Sequence, residues 1–126
     1  MSRRGFLATA RNGDPTVVPV CFVHIGDVLY TAIDRKPKGR RLARLSNIAS
    51  NPRVAFVVDN YSEDWRLLSY LLIHGDAAVV TDEEEARTAR ERMLRKYPQY
   101  HWLKLRRAQV LSIRVRKSKF WRFQRS

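Results

Sequence analysis

The sequence is short of cysteine, of acid and of long apolar runs. Cys21 is the single cysteine among 126 residues, so no intrachain disulfide can form. That excludes the disulfide-stapled secreted scaffolds and fits a reducing, cytoplasmic setting. Cys21 sits in an apolar run and is expected to behave as a small buried hydrophobe. The longest strongly apolar run, Leu67 to Ile73, contains Ser69 and is too short to span a bilayer. Met1-Ser2-Arg3-Arg4 leads straight into strand-like sequence with no apolar leader, so a soluble chain without a membrane partner is expected. There is no Gly-x-Ser-x-Gly elbow and no dinucleotide glycine fingerprint. His24, His74 and His101 are scattered, and one cysteine offers no metal-ligand spacing. Neither a catalytic side-chain set nor a metal centre is therefore expected. Acid is scarce and unevenly placed: 12 Asp and Glu oppose 25 Lys and Arg, and none follows Glu91. A surface of net charge +13 attracts polyanions, whether nucleic acid, acidic lipid or a polyanionic cofactor.

What is present suits one domain over residues 1–126, with an ordinary 44% of hydrophobic residues. Phe6 to Arg11 reads as a strand, Asn12-Gly13-Asp14-Pro15 as a turn, and Thr16 to Ile25 as the returning strand. Gly26-Asp27 turns the chain into a third strand, Val28 to Ile33. Leu42, Leu45, Ile48 and Ala49 share one face of a short helix that Asn51-Pro52 ends. Val54 to Val58 and Trp65 to Val80 read as strands, the latter with a bend or bulge at Gly75. Asp82 and Glu85 form a capping-box pattern for a second helix, whose apolar stripe is Ala86, Ala89, Met93, Leu94 and Tyr97. Pro98 stops it. Val110 to Val115 alternates as a last strand, and a basic aromatic tail follows. About six antiparallel strands with two short helices predict a mainly β fold closed into a small barrel, which removes exposed edges.

The densest charge lies between the third strand and the first helix. Arg35, Lys36, Lys38, Arg40, Arg41 and Arg44 fall within ten positions, with no carboxylate among them. Cations at a helix start oppose the helix dipole, while the free backbone N–H groups there favour an anion. The spacing predicts an anion-binding loop; a solvated basic loop is the plainer alternative.

The run through Leu7-Ala8-Thr9, Gly13, Pro19-Val20, Leu29-Tyr30-Thr31-Ala32, Lys36-Pro37-Lys38, Arg41-Leu42, Asn47-Ile48 and Asn51-Pro52-Arg53-Val54 resembles the pyridoxamine 5′-phosphate oxidase-like split-barrel superfamily. Glu63-Asp64-Trp65 and Tyr97-Pro98-Gln99-Tyr100 resemble its branch expected to use the deazaflavin coenzyme F-420. The resemblance implies a homodimer of split β-barrels with two cofactor sites at the interface. It implies that Val18, Pro19 and Val20 flank the flavin or deazaflavin ring. Tyr30, Thr31 and Ala32 would meet the ribityl chain, and Lys36, Lys38, Arg40 and Arg41 the phosphate. Trp65 joins the cofactor set by its place in the same pattern. Two departures stand out. Relatives usually carry a helix before the first strand, and Leu68-Ser69-Tyr70-Leu71-Leu72 replaces a Trp-containing patch.

Hydride transfer needs no protein nucleophile, because the cofactor carries the chemistry. The expected activity is an oxidoreductase using coenzyme F-420, or next FMN, on a small organic substrate. A nucleic-acid-binding basic barrel without redox activity is the alternative, with Phe120-Trp121-Arg122-Phe123 as a stacking surface. An ordinary terminal strand is the plainer reading of that tail. A carrier that holds a cofactor or heme product without turnover ranks behind both.

Overall fold

The computed structural model describes residues 4–33, 47–99, 105–106 and 108–124. The basic stretch with Lys36, Lys38, Arg40 and Arg41 lies outside these residues, as do Leu42, Leu45, His101 and Trp102. The strands are β1 (Gly5–Arg11), β2 (Asp14–Val20), β3 (Val23–Ile25), β4 (Val28–Ile33), β5 (Arg53–Asn60), β6 (Ser69–Val79) and β7 (Gln109–Arg122). Residues 47–50 are helical, and helix α1 (Glu83–Lys96) joins β6 to β7.

All pairings are antiparallel, in the order β2-β1-β5-β6-β7-β4-β3. This order puts β2 and β3 at opposite edges, yet only Cys21 and Phe22 separate them in the chain. Three Cα–Cα steps reach at most about 11 Å. The edges of a flat seven-stranded sheet would lie about 29 Å apart. The sheet therefore curls until its edges meet, giving a mainly β split barrel with a seam at Cys21-Phe22.

Among the described residues seven strands replace the six expected. The run Thr16 to Ile25 breaks at the seam, because the Phe22 backbone bonds to Tyr97 instead of to a neighbouring strand. Two boundaries also move. Asp64 accepts the Arg66 N–H and caps a 3₁₀ turn over Trp65–Leu67, so β6 starts only at Ser69. The last strand runs past Val115 to Arg122, because β6 supplies pairing partners as far as Ser69.

Alternation within the strands divides the core in two. Leu7, Leu29, Ile33, Val54, Phe56, Ile73, Leu111 and Ile113 fill the barrel, where Phe22 meets Phe56 edge to face at 5.2 Å. On the outer side of β3, β4 and β7, the Ala86, Ala89 and Met93 stripe of α1 covers Val23, Val28, Tyr30 and Val110. Asn12 and Gly13 both take positive φ, as the predicted turn requires. The pairing slips between His74 and Gly75, the bulge expected there. A Cβ on Gly75 would lie 2.5 Å from the Arg114 carbonyl oxygen, so only glycine fits this close approach.

Candidate functional site

The barrel seam brings together the two strands on which the family resemblance implies cofactor contacts. β3 pairs with β4 only as far as Tyr30, so among the described residues Thr31 to Ile33 have no partner strand on that side. The end of β2 comes alongside instead, and the Thr31 hydroxyl donates to the Cys21 carbonyl at 2.8 Å. Val20 is buried in the barrel core, Val18 packs partly against it, and Pro19 between them is exposed. Val18, Pro19 and Val20 thus end one side of the seam; Thr31 and Ala32 begin the other.

Side chains on β4 alternate across the sheet, and this divides the predicted ribityl contacts. Thr31 is spent on the seam. Tyr30 and Ala32 face α1, and the Tyr30 hydroxyl donates to Glu85 Oε2 at 2.6 Å. Burial, and then the Glu85 carboxylate, push the Tyr30 phenol up to about 12. Glu85 was expected to close a capping box, but its carboxylate serves Tyr30. Asp82 caps the helix alone, accepting the Glu84 N–H at 3.0 Å. With both hydroxyls engaged, the seam offers an incoming molecule strand backbone and apolar side chains.

The C-terminus of α1 fastens the seam. Tyr97 Oη accepts the Phe22 N–H and donates to the Phe22 carbonyl, each at 3.1 Å. Lys96 Nζ donates to the same carbonyl at 2.9 Å and lies 3.6 Å from the centre of the Phe22 ring. A cation therefore stands at the junction of β2 and β3. Sequence reasoning placed Tyr97 on the apolar stripe of the helix and missed this role, since 75 residues separate the partners.

Trp65 lies on the connection between β5 and β6. It is 61% exposed and meets Phe123 edge to face at 6.4 Å. On the outer face of β1, β5, β6 and β7, a hollow of about 410 Å³ is floored by Ala8, Ala10 and Ala55 and edged by Arg53, Arg116 and Lys117. Asp76 lies 4.0 Å from Arg116 and is the one ion-pair partner recorded for these three cations among the described residues. Among the described residues no helix is long and apolar enough to cross a membrane.

A family model described as pyridoxamine 5′-phosphate oxidase matches residues 1–122. Three solved structures show the same fold. The conserved hypothetical protein Rv2991 of Mycobacterium tuberculosis matches with a TM-score of 0.78 at 19% identity, over 96% of this chain and 78% of that one. The heme storage protein HutZ of Vibrio cholerae matches with a TM-score of 0.75 at 18% identity, over 96% and 86%. An FAD-binding protein of Mesorhizobium loti matches with a TM-score of 0.70 at 21% identity, over 94% and 82%. No curated protein matches by sequence.

Proposed function

The chain belongs to the pyridoxamine 5′-phosphate oxidase family, and from that premise we propose that it is an oxidoreductase with a flavin-type cofactor, coenzyme F-420 ahead of FMN. The observation that carries this reading is the seam, where the end of β2 and the unpaired edge of β4 lie side by side across the Thr31–Cys21 hydrogen bond. Val18, Pro19 and Val20 would flank the ring with apolar surface. Thr31 and Ala32 would meet the ribityl chain through their backbone, with Tyr30 beside them. β4 leads directly into the basic stretch, so Lys36, Lys38, Arg40 and Arg41 would take the phosphate, a guanidinium with two parallel hydrogen bonds and an ammonium as a point charge.

When bound, such a ring supplies the hydride transfer itself. This chain then needs only to hold the ring, orient it and keep water from one face. The apolar seam and the fixed Lys96 charge suit that task, and a small organic substrate would approach the open face. The FAD-binding likeness among solved structures agrees with a flavin-type group.

A homodimer completes the proposal. Register aligns Pro19, Phe6, Val57 and Leu72 in one row across β2, β1, β5 and β6, on the face opposite the buried Leu7, Phe56 and Ile73. Val17, Ala8 and Ala55 form the next row. A sheet with one face in water normally turns polar side chains outward. These two rows, apolar as far as Leu72 and Ala55 and flanked by His74, Lys117 and Lys119, suit a second copy, in a cytoplasmic setting.

The exposed Phe120 and Trp121, between Lys119 and Arg122, favour one second reading, a surface for single-stranded nucleic acid. A fluorescence titration with coenzyme F-420 and, separately, FMN, at low and high salt, decides between them. Saturable binding that persists at high salt is expected, tighter for coenzyme F-420. Binding of neither, or binding that salt abolishes, overturns the cofactor reading and leaves the nucleic-acid one.

A further inference from the structure

A second opening in the barrel lies at the far end of β4 from the basic stretch. β4 and β7 pair from Gln109 to Arg114, and the Val115 N–H donates to the Asp27 carbonyl beyond the last pair. There the β3–β4 hairpin turns back, while β7 continues along β6 to Arg122. The two arms diverge and leave a cleft into the barrel. Its volume is about 390 Å³, within the range of about 300–1,000 Å³ usual for small-molecule sites. Phe22, Leu29, Val58, Leu71, Ile73 and Val115 form its walls. These residues belong to the barrel core or pack against it, so the walls are set by the fold.

Polar groups gather only at the mouth. His24 and Asp27 stand on the hairpin side and Ser118 on the β7 side, all three exposed. They supply a donor-acceptor imidazole, an acceptor carboxylate and a hydroxyl. Among the described residues no Lys or Arg lines the cleft, although the chain carries 25 of them. With the Asp27 carboxylate at its rim and no Lys or Arg on its described walls, the cleft favours an uncharged ligand over a phosphorylated or carboxylated one.

We infer that this cleft binds an uncharged, mainly apolar small molecule, inserted body first, with one hydroxyl, amine or carbonyl left at the His24–Asp27–Ser118 rim. Phe22 is the one wall residue shared with the seam, and the rest of the cleft lies apart from the proposed cofactor contacts. It is formed by the hairpin end of β4, whereas the phosphate-binding stretch follows the opposite end.

The neutral fluorescent amine N-phenyl-1-naphthylamine tests the inference on the full chain. Wild-type protein is expected to bind one molecule per chain, saturably, with enhanced emission. Ser118→Trp adds bulk at the mouth from an exposed position and is expected to weaken binding about tenfold or more. Val58→Phe narrows the opposite wall and should do the same, so either variant suffices if the other does not fold. Trp121→Ala, on the neighbouring aromatic surface, should leave affinity within about twofold. Saturating FMN should not displace the dye. The inference is overturned by absence of saturable binding to wild type, by unchanged affinity in a folded Ser118→Trp or Val58→Phe chain, by loss in Trp121→Ala, or by displacement with FMN.

Discussion

The hydroxyl of Tyr97 bonds both the amide and the carbonyl of Phe22, each at 3.1 Å, and so ties the end of α1 to the two-residue link between the edge strands of the barrel. Phe22 and Tyr97 are 4% and 3% exposed, so these groups have little access to water. Tyr97→Phe keeps the ring and removes the hydroxyl. The Phe22 carbonyl retains Lys96, but the amide loses its acceptor. A buried donor left unpaired costs about 1–3 kcal/mol. Urea denaturation should show a loss of that size with an unchanged slope.

Tyr30 gives the fold a dependence on alkaline pH. Its phenol stands at about 12 against an ordinary 10.0, raised first by burial and then by Glu85. A group whose pKa is higher in the folded state stabilises the fold fully below its unfolded value. That contribution fades as pH rises from about 10 through about 12. Absorbance at 295 nm should show one late-ionising phenol in wild type that Tyr30→Phe removes. The same variant should lose about 1.5–3 kcal/mol at neutral pH, the worth of a hydrogen bond to a charged group.

Lys38→Ala combined with Arg41→Ala tests the phosphate contacts. Each charge-assisted bond contributes about 1.5–3 kcal/mol, so the double variant should lose several kcal/mol of cofactor affinity. Fluorescence titration measures this directly. Wild-type affinity in the double variant would remove the phosphate assignment.

Trp65→Ala separates binding from folding. The side chain is 61% exposed, so stability should change by no more than about 0.5 kcal/mol. If Trp65 reaches a ring, affinity for the cofactor should fall while the melting temperature holds. Unchanged affinity would take it out of the site.

Val57→Glu probes the proposed dimer face. Val57 lies in the middle of the outer apolar row, between Phe6 and Leu72. A carboxylate there should cost little in a monomer but oppose its own copy across a two-fold interface. Light scattering should report a monomer for the variant and a dimer for wild type.

Local features were legible in the sequence because their causes are local. Asn12-Gly13 fixes a turn through positive φ, Asp82 caps a helix two residues on, and Gly75 marks a bulge. The Ala86, Ala89 and Met93 stripe names the buried side of α1 from spacing alone. The same local pattern misread Glu85, because a capping box competes with a Tyr30 hydroxyl that only packing brings to it. Thr16 to Ile25 looked like one strand, since nothing within that run announces the break at Phe22.

By itself the sequence determined a basic, single-cysteine chain of short antiparallel strands and two helices, and the places where most of them begin and end. Those properties follow from side-chain type and spacing along the chain. Tertiary structure alone decided that β2 and β3 meet across a seam, that Tyr97 and Lys96 hold it, and that β7 parts from β4 to open a cleft. Each of these pairs residues through closure of the sheet, a constraint that arises only when all seven strands are in register.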